Sequence, residues 1–231
     1  MTVLKHAACL LLAVSLIVIL FCVSVVLPTF SVSFYMNEYK KYDLSEYIRV
    51  SEPDLERVTK NVQRYMAGLD PELNVEAVVA GIEKPFFNER EIFHMNDVRG
   101  LFAAGFAVMG ASVLISAVCA VFIIVKKYYR TAAGYVVGCV TFLLLSFGTL
   151  AALVAVYFER AFVIFHELFF DNDMWLLDPD TDLLINLVPQ TFFIDISKTI
   201  AICFFTGLAA ALVFGIAVSA ASARRRARNA G

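Results

Sequence analysis

Within its four long apolar runs the chain has no Asp, Glu, Lys, Arg or His, and outside them it has no cysteine. The first absence argues against a pump or coupled transporter, because an ion or proton path across a bilayer normally leaves ionisable side chains at depth. The second argues against a disulfide, a zinc site or a cysteine nucleophile on an aqueous surface. All five cysteines, Cys9, Cys22, Cys119, Cys139 and Cys203, fall in the apolar runs and read as small buried apolar residues. Also missing is any Gly-x-Ser-x-Gly, the turn that presents a serine nucleophile, so a covalent serine hydrolase is disfavoured as well. Neither internal repeats nor low-complexity tracts occur, and the segments between the runs are too aromatic for disorder.

What the chain has is hydrophobicity: 60% apolar residues and a mean hydropathy of +0.76 over 231 residues, more than a soluble core of this size uses. Four runs, 7–27, 101–125, 132–157 and 200–221, each approach the roughly 20 residues needed to cross a hydrocarbon core. Lys5 and the small residues Ser31-Val32-Ser33 imitate a secretory leader, yet the first run is too long for a leader core and is expected to be an uncleaved anchor. The predicted class is an all-α integral membrane protein, with four transmembrane helices and a small extracellular cap.

Charge sets the expected orientation. Lys5, the loop bases Lys126, Lys127 and Arg130, and the tail bases Arg224, Arg225, Arg226 and Arg228 make eight cations with no acid among them, the mark of cytoplasmic segments. All 21 acids and the other 11 bases lie in the two remaining segments, which should face outward. The sequence pI near 5.9 averages two opposite surfaces, and no nucleic-acid partner is implied. The expected organisation is therefore 1–27, cytoplasmic N-terminus and first span; 28–100, cap segment; 101–157, a transmembrane hairpin with its loop at 126–131; 158–199, second cap segment; and 200–231, fourth span and basic tail. Glycines at 105, 110, 134, 138, 148, 207 and 215 suit close helix approach within the spans.

In the first outer segment FSVSFYMNEYKKYDLSEYI is expected to form an irregular or short-stranded arm, whereas SEPDLERVTKNVQRYMAGL reads as a helix. There Ser51 can cap, Leu55, Val58, Val62, Tyr65, Met66 and Leu69 recur at helical spacing, and Gly68 and Pro71 end the pattern.

Two histidines lie in the outer segments, and each is 36 residues from Arg130 in the hairpin loop. On antiparallel helix extensions His94 and His166 would stand level, each among phenylalanines with carboxylates near. Paired imidazoles suit acyl or phosphoryl transfer, one taking a proton while the other donates one or steadies an oxyanion. Glu91 and His94 have the i, i+3 spacing of a helical metal pair, with Glu167 or Asp171 as further oxygens, which keeps a metal-dependent lipid hydrolase open. Asp178-Pro-Asp180-Thr-Asp182 imitates a calcium loop but has Leu183 where glycine is needed and Pro189 at the final position, so it reads as a turn. His166 and Asp171 also fit the His-x4-Asp spacing of glycerolipid acyltransferases. Asp97 and Asp171 are candidate orienters of the imidazoles, with helix-end capping as the plainer role. Phe87, Phe93, Phe165, Phe169, Phe170 and Trp175 are candidate walls of a substrate pocket, or else an interfacial aromatic belt.

The stretches EIFHMNDVRGLF before the second run and FHELFFDNDMWLLDPDTDLLINLVPQTFF after the third, in a four-span order, resemble the integral-membrane family that includes the bacterial lipoprotein intramolecular transacylases. The resemblance implies a four-helix bundle with an extracellular cap and catalysis by His94 and His166; on the residues themselves no cofactor or metal is expected. It further implies transfer of an acyl chain from the glyceryl sn-2 oxygen of a diacylglyceryl lipoprotein to the amino group of its N-terminal cysteine, in the bacterial cell membrane. A non-catalytic scaffold whose cap binds an exported partner is the competing class, and there both histidines would be structural.

Overall fold

The architecture is that of a computed structural model, which describes residues 2–230; the side chains of residues 147, 149–153, 155 and 225–230 lie outside that description, and with them Arg225, Arg226 and Arg228 of the charge pattern. In chain order the elements are α1 (Thr2–Thr29), α2 (Val32–Lys41), α3 (Leu44–Tyr47), α4 (Glu52–Met66), β1 (Glu76–Val79), β2 (Ile82–Pro85), α5 (Glu89–Lys126), α6 (Tyr129–Val156), α7 (Phe158–Phe169), α8 (Leu183–Leu187) and α9 (Gln190–Ala230). Four of these are long and apolar enough to cross a membrane: α1, α5, α6 over Tyr129–Ser146, and α9 over Gln190–Arg224. The protein is an all-α membrane protein apart from one short hairpin.

The chain divides into two compact units. The first comprises residues 1–25, 106–156 and 200–231, and the second 26–105 and 157–199. Within the first unit α1 and α5 are joined by a 2.7 Å hydrogen bond between the Ser15 and Ser116 hydroxyls, a polar tie that small side chains permit between close helices. Buried Cys9, Ile123 and Ala132 form an apolar cluster at one end. Two of the seven glycines named above carry close approach: an added Cβ at Gly207 would meet Leu20 at 3.1 Å, and one at Gly215 would meet Val137 at 2.9 Å. At Gly105, Gly110, Gly134, Gly138 and Gly148 an added Cβ would meet nothing within 4 Å among the described residues, so sequence composition overstated their packing role there.

The second unit departs from expectation in its arm. Residues 32–41 and 44–47 are helical rather than irregular or stranded, because Ser31 caps α2 by accepting from the Phe34 N–H and the i, i+4 pair Tyr35 and Tyr39 turns one stripe inward. Both rings pack on Phe192 of α9, with centroids 4.7 and 6.5 Å away, and the Tyr39 hydroxyl lies 3.0 Å from Thr59 Oγ1 of α4. The α4 helix forms as its pattern predicts. Ser51 accepts from the Asp54 N–H, and the C-terminus closes with Gly68 at φ +73° and paired bonds from Gly68 N to Tyr65 O and from Leu69 N to Arg64 O. A hairpin that periodicity did not reveal follows, β1 pairing antiparallel with β2. Its two-residue turn has positive φ at both Ala80 and Gly81, the requirement for a turn whose twist matches the strands.

Candidate active site

His94 lies just over one turn into α5, ahead of the apolar run that begins at Leu101, and His166 lies near the end of α7. The helix carrying His166 is not a simple extension of the third span: the backbone leaves helical geometry at Tyr157 (φ −115°, ψ 44°) and restarts at Phe158. The level pairing nonetheless brings the two imidazoles together, with ring centroids 6.0 Å apart and planes inclined by 33°. Both side chains are buried.

The sequence dictates the tautomer of one of them. At i+4 from Phe162, His166 points its Nδ1 at the Phe162 carbonyl oxygen, 2.7 Å away, and a carbonyl can only accept. Nδ1 therefore carries the proton, and Nε2 presents a lone pair. Sequence reasoning gave this orienting role to Asp171, but Asp171 is exposed, and the backbone carbonyl occupies the position. Nδ1 of His94 is buried without a protein partner, one of two such side-chain atoms among the described residues, the other being Asn61 Oδ1. Buried polar atoms are normally satisfied, so this Nδ1 is an exception that leaves one ring nitrogen of the pair uncommitted. Asp97 accepts from Asn172 Nδ2 at 2.9 Å; it makes no bond to an imidazole and acts on His94 through its charge.

Aromatic walls surround the pair. Trp175 stacks on His166 at 4.8 Å and 30°, Phe170 lies 5.2 Å from His94 and 5.5 Å from His166, and Phe165 lies 5.4 Å from His166. Phe162, absent from the sequence-derived set, has its ring nearest to His166, with centroids 4.1 Å apart. Its signal was the Phe-x-x-x-His spacing, which stacks two rings on one helix face. Phe169 packs on Phe165 at 4.8 Å and is half exposed. Phe87 and Phe93 go elsewhere: with Tyr65, Ile92 and Asn96 they line a separate groove of about 570 Å³.

Burial in this apolar cage disfavours the charged imidazolium. It lowers the His94 pKa to about 4, helped by the neighbouring His166 and opposed by Asp97, and it lowers that of His166 despite the Phe162 bond. Both rings are neutral at pH 7. Protons that the folded site refuses are accepted by the unfolded chain near pH 6.5, so this contribution to stability is complete above pH 6.5 and disappears as pH falls towards about 4. The expected result is a thermal midpoint, measured in detergent, that falls through that window in the native protein and falls less in His94→Gln. Equal slopes for the two would contradict neutral burial.

Metal-ligand geometry is weak here. Glu91 is fully buried, and both its oxygens are taken by backbone donors, Oε2 by Asn88 N at 2.7 Å and Oε1 by Leu184 N at 2.5 Å. Among the described residues no three His, Cys, Asp or Glu side chains converge as a metal site needs.

The family model for the lipoprotein intramolecular transacylase Lit matches residues 10–193, a range that includes both histidine stretches. Among solved structures, the in meso structure of the membrane-integral lipoprotein intramolecular transacylase Lit from Bacillus cereus is 18% identical and covers 97% of this chain and 100% of its own, with a TM-score of 0.79. Two variants of that enzyme, one with a histidine replaced by arginine and one with a histidine replaced by alanine, are each 17% identical with TM-scores of 0.72. They cover 97% and 96% of this chain and 95% and 96% of their own. At such identity the likeness is one of fold. No curated protein matches the sequence.

Proposed function

The chain belongs to the lipoprotein intramolecular transacylase family, membrane-integral acyltransferases that act on lipoproteins, and from that membership we propose that His94 and His166 move the sn-2 acyl chain of a diacylglyceryl lipoprotein onto the amino group of its N-terminal cysteine. The observation that carries the assignment to these residues is the pair of buried neutral imidazoles 6.0 Å apart, one with its tautomer fixed.

The amine nitrogen attacks the ester carbonyl carbon, and as the C–N bond forms the nitrogen becomes cationic and its N–H acidic. His166 Nε2 takes that proton. His94, neutral, donates its single N–H to the carbonyl oxygen as negative charge develops there, which stabilises the tetrahedral intermediate. When the C–O bond breaks, the proton held on His166 passes to the departing glyceryl oxygen. One ester is lost, one amide is gained, and no atom enters or leaves. Both reacting groups belong to one molecule, so the protein's task is to fold the headgroup into attack geometry between the aromatic walls of Phe162, Phe170 and Trp175. Asp97 supports His94 by its charge and Asp171 stays in solvent.

The test of reaction type is mass spectrometry of a synthetic N-terminal lipopeptide incubated with the purified protein. The intact mass is expected to stay constant while the fragments show an acyl group on the cysteine nitrogen; free fatty acid as main product would mean hydrolysis.

The same reading puts both termini in the cytoplasm and the histidines at the outer face, since the eight acid-free bases belong inside. A cysteine introduced at Asn74 should then react with an impermeant thiol reagent in intact cells, and one at Thr131 should not. Labelling at position 131 alone would reverse the orientation.

A further inference from the structure

Trp175 stacks on His166 from a stretch, residues 170–182, that contains no helix or strand. Something other than a backbone ladder must fix it relative to His94, which sits on a different element. Four side chains at the start of α5 do so. Arg90 Nη2 donates to Asp173 O at 3.1 Å, Asp97 accepts from Asn172, Asn88 Nδ2 donates to Asp182 Oδ1 at 2.7 Å, and Glu91 accepts from Leu184 N.

The two that involve Asn88 and Glu91 are interlocked: the Glu91 bond is buried, and the exposed Asn88 reaches the buried Asp182 through a partly buried one. Asn88 caps α5 by accepting from the Glu91 N–H at 3.0 Å, and the Glu91 carboxylate accepts the Asn88 N–H in return, a reciprocal capping box. Each member then uses its remaining valence to reach across: the Glu91 carboxylate to α8, the Asn88 amide to Asp182. Asp182, only 3% exposed, in turn accepts from Asp178 N at 2.7 Å, which closes the turn that returns the chain to α8. Glu91, next to no cation, is held by N–H dipoles alone, and a buried carboxylate kept on such terms is costly unless its position matters.

Resting on the transacylase reading above, we propose that Asn88, Glu91 and Asp182 are positioning residues for the reaction: they lock the first turn of α5 to the aspartate-rich loop and so hold His94 in register with Trp175 and His166. None of the three touches the substrate. Their effect is on the geometry of the imidazole pair, so loss should appear in kcat with little change in KM. Misplacement by about 1 Å is enough to cost on the order of a hundredfold.

The test exchanges the polarity of the bridge in the full-length protein. Asn88→Asp alone sets two carboxylates face to face, and Asp182→Asn alone forces an amide N–H against either Asn88 or the Asp178 N–H. The double variant Asn88→Asp with Asp182→Asn restores the bridge with its direction reversed: Asp at 88 accepts from the Glu91 N–H and from the new amide, whose oxygen still accepts from Asp178 N, and only the Thr181 hydroxyl loses its acceptor. Each single variant is expected to lower kcat about a hundredfold at near-normal KM, and the double to recover to within about tenfold of the native protein. Singles that stay fully active, or a double that stays as impaired as the singles, would overturn the proposal. Failure of the native protein itself to rearrange the lipopeptide would instead reject the transacylase reading and would be visible in the control arm.

Discussion

His94→Ala and His166→Ala are each expected to lower acyl transfer by about a hundredfold or more, and the double variant to lose little more, because groups that act as one unit are strongly non-additive. The size follows from the two tasks. Loss of Nε2 at position 166 leaves no base for the ammonium proton, and general base catalysis is worth about a hundredfold to ten-thousandfold. Loss of His94 removes the one donor aimed at the developing oxyanion, comparable to the hundredfold to thousandfold cost of about one oxyanion-hole hydrogen bond. His166→Asn and His166→Gln separate the two functions of that ring, since an amide can still donate to the Phe162 carbonyl yet offers no basic nitrogen; both should be as inactive as the alanine variant. His6, whose Nδ1 lies 3.1 Å from the Tyr135 hydroxyl, belongs to the other unit, and His6→Ala should retain normal activity. Transfer assays on membranes matched for protein content check all of these, and near-native turnover by either single alanine variant would return the scaffold reading.

Phe192→Ala is the change expected to harm stability most. Its ring is 1% exposed and lies against Phe34, Tyr35, Tyr39 and Phe193, so truncation opens a cavity lined by aromatic side chains that cannot collapse around it. The cost should be about 3–5 kcal/mol. Because Phe34, Tyr35 and Tyr39 of α2 all meet this ring, the loss should concentrate there. The Asp195 carboxylate, on the same helix as Phe192, accepts from Lys41 and Tyr42 at the end of α2, and that ammonium and hydroxyl, with Lys198, hold it well below the usual carboxylate range. Exposed pairs of this kind contribute little alone, so they cannot replace the ring. Limited proteolysis in detergent should therefore cut Phe192→Ala within residues 30–50 under conditions that leave the native protein whole. A variant as resistant as the native chain would show that α2 is held by something other than this cluster.

The spans, α4 and the histidine pair could be read from the sequence because each writes a local signal: an unbroken apolar run, a capped 3.6-residue stripe, and two imidazoles equally distant from one hairpin loop. The helix α2 could not. Its stripe is only Tyr35 and Tyr39, and the ring that this capped stripe packs against is Phe192, more than 150 residues later. The hairpin at 76–85 was hidden for the opposite reason, since Ala80 stands where asparagine or glycine usually announces such a turn. At the site the same contrast holds. That the two histidines converge was visible from spacing, but Phe162 was not among the expected walls, and the partner of His166 Nδ1 is a backbone carbonyl, which no side-chain pattern advertises. Of the six acids of residues 165–184, Asp178, Asp180 and Asp182 read as a turn, and Glu167 and Asp171 as possible ligands or orienters. The most deeply buried of them, Asp182, also ties the loop to Asn88, while Asp171 and Asp178 remain in solvent.

The central claim, that an imidazole pair moves an acyl group between two atoms of one lipopeptide, is most directly tested by crossover. A light lipopeptide with light acyl chains and a heavy lipopeptide with heavy acyl chains are mixed in equal amounts, incubated with the protein and fragmented. The account predicts light acyl groups only on light cysteine nitrogens and heavy only on heavy, with both intact masses unchanged. Mixed products would contradict it, because they require the acyl group to leave one molecule before it reaches the next.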